Sequence, residues 1–115
     1  MDKQEFIDAI KMVVIDDSVK SMESNFLRPP GKEPEKKIVE LSNWFNKLGS
    51  EDKIMVMKIV KESVETSVFG FLCVIDGVRV IEDSKRKGRL ILSYEKQGDV
   101  ILLNDPDEDY LHNLL

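Results

Sequence analysis

Four carboxylates fall within five residues, Asp105, Asp107, Glu108 and Asp109 around Pro106, and the only histidine, His112, follows shortly after. Carboxylates beside an imidazole are residue types for proton transfer, for holding a cation, or for docking a basic partner. A calcium loop spreads its ligands over about twelve residues around a central glycine and ends on a bidentate acid, and this stretch lacks that pattern. No metal is therefore expected. Asp105, Pro106 and Glu108 have a positional reading instead: a helix N-cap, a proline at the first helical position and the returning side chain of a capping box. Tyr110, Leu111, Leu114 and Leu115 would then form the apolar side of a short final helix.

Asp107 and Asp109 are left over from that reading, as is Asp99 upstream. Residues 99–115 hold five acids and no lysine or arginine, which equals the net charge of −5 of the whole chain. Charge of one sign concentrated in one place speeds and orients association with an oppositely charged protein. Asp99, Asp107 and Asp109 are the candidate partner-binding residues on this ground.

Other chemistry finds less support. Cys73 sits in the apolar run FGFLCVI, where a thiol behaves as a small hydrophobe, and no second cysteine is present for a disulfide. Glu62 and Glu65 with Ser63 and Thr66 share a helical stretch, a spacing that usually makes a solvated face. The chain carries no GxGxxG, phosphate-binding loop, HExxH or GxSxG, so no catalytic residue and no cofactor are assigned. The one basic cluster, Ser84-Lys85-Arg86-Lys87-Gly88-Arg89, could touch phosphate, but as a solvated turn it also guards a strand edge. The acidic balance and the absence of any nucleic-acid-binding motif disfavour nucleic acid.

The elements that position these residues follow from periodicity. The 115 residues, 42% hydrophobic and 34% charged, suit a single globular domain spanning 1–115. No apolar run is long enough for a membrane span and the N-terminus has no signal-peptide pattern, so a cytoplasmic location is expected. Residues 2–26 read as helix. Phe6, Ile10, Val13 and Val14 share one side, whereas Ile15, Val19, Met22 and Phe26 lie about a third of a turn away. That helix is either buried on a broad face or broken near Asp16-Asp17-Ser18 by a new N-cap.

Arg28-Pro29-Pro30-Gly31 through Pro34 is a connector. In the second helix Ile38, Leu41, Phe45 and Leu48 mark a buried face with Trp44 beside it, Gly49 ends the helix, and Ser50 caps the third. Met57, Val60, Val64, Val68, Phe71 and Ile75 keep to one sector of that third helix, which is the expected central element. Asp76-Gly77 between β-branched runs is also a hairpin signal, but the unbroken helical phase favours a helix ended by Gly77. Residues 89–95 and 99–103 read as two strands around Lys96-Gln97-Gly98, with residues 78–81 a candidate third strand.

The fold class expected is α+β: three consecutive helices, an antiparallel β-hairpin and a short C-terminal helix. The function expected is a non-enzymatic module that binds another, basic protein, with an inhibitor or immunity-type factor as its form. Two alternatives stand beside it: a small hydrolase or transferase using carboxylates and His112, and a homodimeric structural protein assembled through the broad apolar surface of the first helix.

Overall fold

Asp2 opens the first helix with a reciprocal pair of bonds: its Oδ1 accepts the Glu5 N–H at 2.8 Å, and its own N–H donates to Glu5 Oε2 at 3.0 Å. In a computed structural model describing residues 1–83, 85 and 87–115, this capping box starts helix α1, Lys3–Ile10. Lys11–Asp16 is π-helical, and Asp17–Leu27 forms α2. A π-helical turn holds one residue more than an α-helical turn, so it displaces the apolar phase without interrupting the helix. That is how the two apolar stripes are accommodated. Asp16 has helical backbone angles and makes no side-chain cap bond, so the helix is not broken there.

The remaining elements are α3, Lys36–Asn46, α4, Ser50–Ile75, β1, Ser93–Lys96, β2, Asp99–Leu102, and α5, Leu111–Leu114. The fold is α+β, with an antiparallel two-stranded sheet after the long helices. None of the helices among the described residues is long and apolar enough to cross a membrane. The chain divides into two compact units, Val13–Glu65 on the one hand and Met1–Met12 with Thr66–Leu115 on the other.

In the unit Val13–Glu65, the rings of Phe26 on α2 and Phe45 on α3 meet at 5.3 Å between centroids. Ser42, on the same side as Phe45, is buried and donates its hydroxyl to Phe26 O at 2.6 Å. Asn46 Nδ2 donates to Phe26 O, Leu27 O and Ser42 Oγ at 3.2, 3.3 and 3.2 Å. These side chains satisfy carbonyls that the end of a helix leaves without intrahelical partners. Turning Ser42 inward rotates α3, so Leu41 and Trp44 face solvent, 45% and 56% exposed, contrary to the apolar spacing. Ser50 is already helical, with Gly49 O accepting the Lys53 N–H at 3.0 Å, one residue earlier than its expected role as cap.

In the other unit, Ile7 of α1, Leu72 of α4 and Leu111 of α5 form the core, joined by Phe6, Val68, Ile75, Leu92, Leu114 and Leu115. Val68, Leu72 and Ile75 are the i, i+4 and i+7 positions of one stripe. Phe71, expected among the buried residues, lies at the margin of that stripe and is 65% exposed. The helix ends as a Schellman motif: Val78 N–H donates to Cys73 O at 3.0 Å, Gly77 N–H to Val74 O at 3.1 Å, and Gly77 has φ +77°. The Asp-Gly pair thus ends a helix and makes no hairpin.

The hairpin that does form pairs Ser93 with Leu102 and Lys96 with Asp99 across Gln97-Gly98, whose φ values of 52° and 86° suit a tight two-residue turn. Residues 78–81 form no strand. The first strand is also shorter than expected, because Leu92 N–H leaves the ladder for Asn104 Oδ1 at 2.8 Å. The amide of buried Asn104 donates to Ile75 O and Leu90 O, both at 2.8 Å, tying the end of α4 to the approach to β1.

Candidate functional site

The carboxylates of residues 105–109 do not begin a helix. Asp105 Oδ1 accepts the Asp107 N–H at 3.0 Å and Asp105 O accepts the Glu108 N–H at 3.2 Å, which closes an isolated turn. α5 starts only at Leu111. Glu108 does not return to Asp105; its Oε2 lies 3.4 Å from Lys3 Nζ. Lys3 also donates to Asp109 O at 2.6 Å, and its side chain is 12% exposed. The base missing from residues 99–115 is therefore supplied by the first turn of α1.

This turn, the start of α1 and β2 line an open groove of about 980 Å3. Among the described residues five carboxylates line it, Asp2, Asp105, Asp107, Glu108 and Asp109, against one cation, Lys3. Apolar surface is present in the same lining from Val100, Ile101, Leu102 and Leu114. Of the three residues singled out by charge, Asp107 and Asp109 line this groove, whereas Asp99 lies outside its lining and pairs with Lys96 in the β-ladder next to the hairpin turn. Asp2 and Lys3 were missed, although Asp-x-x-Glu before an apolar run is a legible helix start and would have pointed to Asp2.

His112 belongs to a different arrangement. Asp76, whose side chain is 1% exposed, accepts the Leu111 N–H at Oδ1 (3.1 Å) and the His112 N–H at Oδ2 (2.9 Å). His112 Nδ1 stands 2.7 Å from the same Oδ2. A carboxylate only accepts, so Nδ1 carries the proton and Nε2 is the ring position left for other chemistry. The imidazole is stacked on Tyr110 at 5.3 Å and meets the edge of Phe69 at 5.4 Å. Asp76 caps α5 in place of Asp105. A carboxylate and an oriented imidazole are two parts of a proton-transfer device, but His112 does not line the acidic groove.

Two of the candidates on α4 have partners on the same helix. Ser63 Oγ donates to Ile59 O at 2.8 Å, and Glu65 stands 3.9 Å from Lys61 on the same helix. Cys73 is half-buried with a free thiol. Among the described residues no group of three or more His, Cys, Asp or Glu could hold a metal ion. In the basic cluster, Lys87, Gly88 and Arg89 line a second pocket with Arg79, while Ser84 and Arg86 lie outside the described residues.

Compared with protein-family models, curated proteins and solved structures, the chain matches none.

Proposed function

We propose that this protein is a non-enzymatic binding module whose acidic groove takes a basic segment of another protein, acting as an inhibitor or immunity-type factor toward it. The observation that supports this reading is the convergence of Asp2, Asp105, Asp107, Glu108 and Asp109 on one groove whose one cation among the described residues, Lys3, already serves Glu108 and Asp109 O. Apolar lining beside the acids suits the methylene stems of lysine and arginine, which bury along apolar surface while their charges meet carboxylates.

The test uses an amphipathic lysine-rich peptide and fluorescence anisotropy at low and high salt. Reversing Asp107 and Asp109 to lysine weakens binding about tenfold or more at low salt and flattens the salt dependence. Reversing Glu23 and Glu40, which changes the net charge equally in the other unit, has a much smaller effect. Equal losses from the two double variants would reduce the groove to bulk charge and remove the reading.

A homodimer is the second reading. It is favoured by Met12, Val13 and Val14, apolar residues of the π-helical segment that are 60%, 58% and 38% exposed. Sedimentation at micromolar concentration distinguishes the two: a monomer eliminates the homodimer and leaves the groove untouched.

A further inference from the structure

A second pocket, of about 420 Å3, is formed where the end of α4 meets the segment leading to β1. Its volume falls within the range of small-molecule sites. It shares no lining residue with the acidic groove. Among the described residues its apolar walls are Val74, Ile75, Val80, Ile81, Leu90 and Pro106, all aliphatic, with no aromatic ring on which a base or other flat ligand would stack. Val80 and Ile81 are each 66% exposed and Leu90 is 45% exposed, so much apolar surface here still faces water and would be covered by an apolar ligand.

The charges around these walls are unevenly engaged. Among the described residues two acids line the pocket, and both have partners: Asp76 holds Leu111, His112 and the imidazole, and Glu82 Oε1 accepts the Gly88 N–H at 2.5 Å. Among the described residues three cations line it, Arg79, Lys87 and Arg89, and none of them forms an ion pair there. Arg79 is placed by a glycine. Its Nη1 lies 2.5 Å from where a Cβ on Gly70 would stand, so the guanidinium rests against the helix at the one position that has no side chain. An isolated glycine inside a long helix weakens it, and this contact is the structural use of that weakness.

We propose that this pocket binds a free amphiphilic anion, an aliphatic chain carrying a carboxylate or phosphate head, with the chain on Val80, Ile81 and Leu90 and the head between Arg79, Lys87 and Arg89. Guanidinium groups bind either head in the same forked geometry, so the shared chemistry is the anion on an aliphatic chain.

The test is an amide NMR titration of the full chain with octanoate and octyl phosphate, compared with octanol, acetate and inorganic phosphate. Saturable shifts at Gly77, Gly88 and the Asn104 side-chain amide are expected with octanoate, octyl phosphate or both. Replacing Arg79 and Arg89 by glutamine weakens that binding about tenfold or more, as loss of charge-assisted hydrogen bonds implies. Gly70→Ala, which displaces the Arg79 guanidinium and leaves every charge in place, weakens it in the same direction. The same charge removed at Lys36 and Lys37, in the other unit, leaves it unchanged. Octanol binding as tightly as the anions, acetate or inorganic phosphate binding as tightly as octanoate, or no saturable shift at all would each overturn the proposal. So would co-sedimentation with anionic phospholipid vesicles in the absence of octanoate and octyl phosphate binding, which would assign the cations to a membrane surface.

Discussion

The end of α2 and the start of α5 pose the same physical problem, backbone groups at a helix terminus with no intrahelical partner, and the two units solve it with opposite chemistry. At α2 the orphan groups are carbonyls, and neutral donors reach them: Ser42 and Asn46, 16 and 20 positions from Phe26. At α5 the orphan groups are N–H donors at the positive end of the helix, and an ionisable acceptor reaches them: Asp76, 35 positions from Leu111. A hydroxyl or amide can be lost with a modest penalty, because its carbonyl partners have other donors at hand. A buried carboxylate serving three donors cannot. The comparison shows that charge at a helix end concentrates stability in one side chain, whereas neutral caps distribute it.

The largest effect is therefore expected from Asp76→Ala, which leaves two backbone N–H groups and the His112 ring unpaired and costs about 4 kcal/mol. The loss should be seen in Tyr94 and Tyr110, the only tyrosines and both in the unit that holds Asp76, before Trp44 in the other unit responds. Leu111→Ala, at a fully buried position next to that cap, costs about 3 kcal/mol in urea unfolding and reports the packing under the cap rather than the cap itself. If the two cost the same as the double variant, cap and core act as one unit. Ser42→Ala costs only about 1 kcal/mol, followed through Trp44 fluorescence, because Asn46 still bonds Phe26 O. A Ser42 loss as large as that of Asp76 would erase the contrast between the two caps. Smallest, and of opposite sign, Gln97→Asn should add about 0.5 kcal/mol, since Gln97 holds φ 52° in a turn where asparagine before glycine is preferred.

Local signals in the sequence were sufficient for much of this fold. The hairpin turn at Gln97-Gly98, the end of α4 at Gly77 and the α+β class all follow from spacing, turn residues and periodicity, which act within a few positions. The failures share one cause. Leu41 and Phe71 have helical spacing with their buried neighbours, but which side of a helix is covered depends on partners distant in sequence: Phe26 for α3, Ile7 and Leu111 for α4. Asp105 has every local mark of an N-cap, and the helix it would start is pre-empted because Lys3 draws Glu108 and Asp109 O toward α1 while Asp76 offers a better cap farther on. Asp107 and Asp109 were found by charge alone. Their companions Asp2 and Lys3 reach the groove from the other end of the sequence, so the helix start legible at Asp2 gives no sign that the two meet the acids there.

Asp76 also has a consequence in time. A helix of four residues cannot nucleate by itself, and the acceptor that completes α5 is in place only once α4 has formed to its last turn and the intervening hairpin has been brought round. A contact that waits on both is expected to form late, after the barrier to folding. Substituting asparagine at Asp76 should then leave the refolding rate of this unit nearly unchanged and hasten its unfolding, a result a chevron analysis reads directly. On that account Asp76 governs the lifetime of the native state, and the speed of reaching it is set elsewhere.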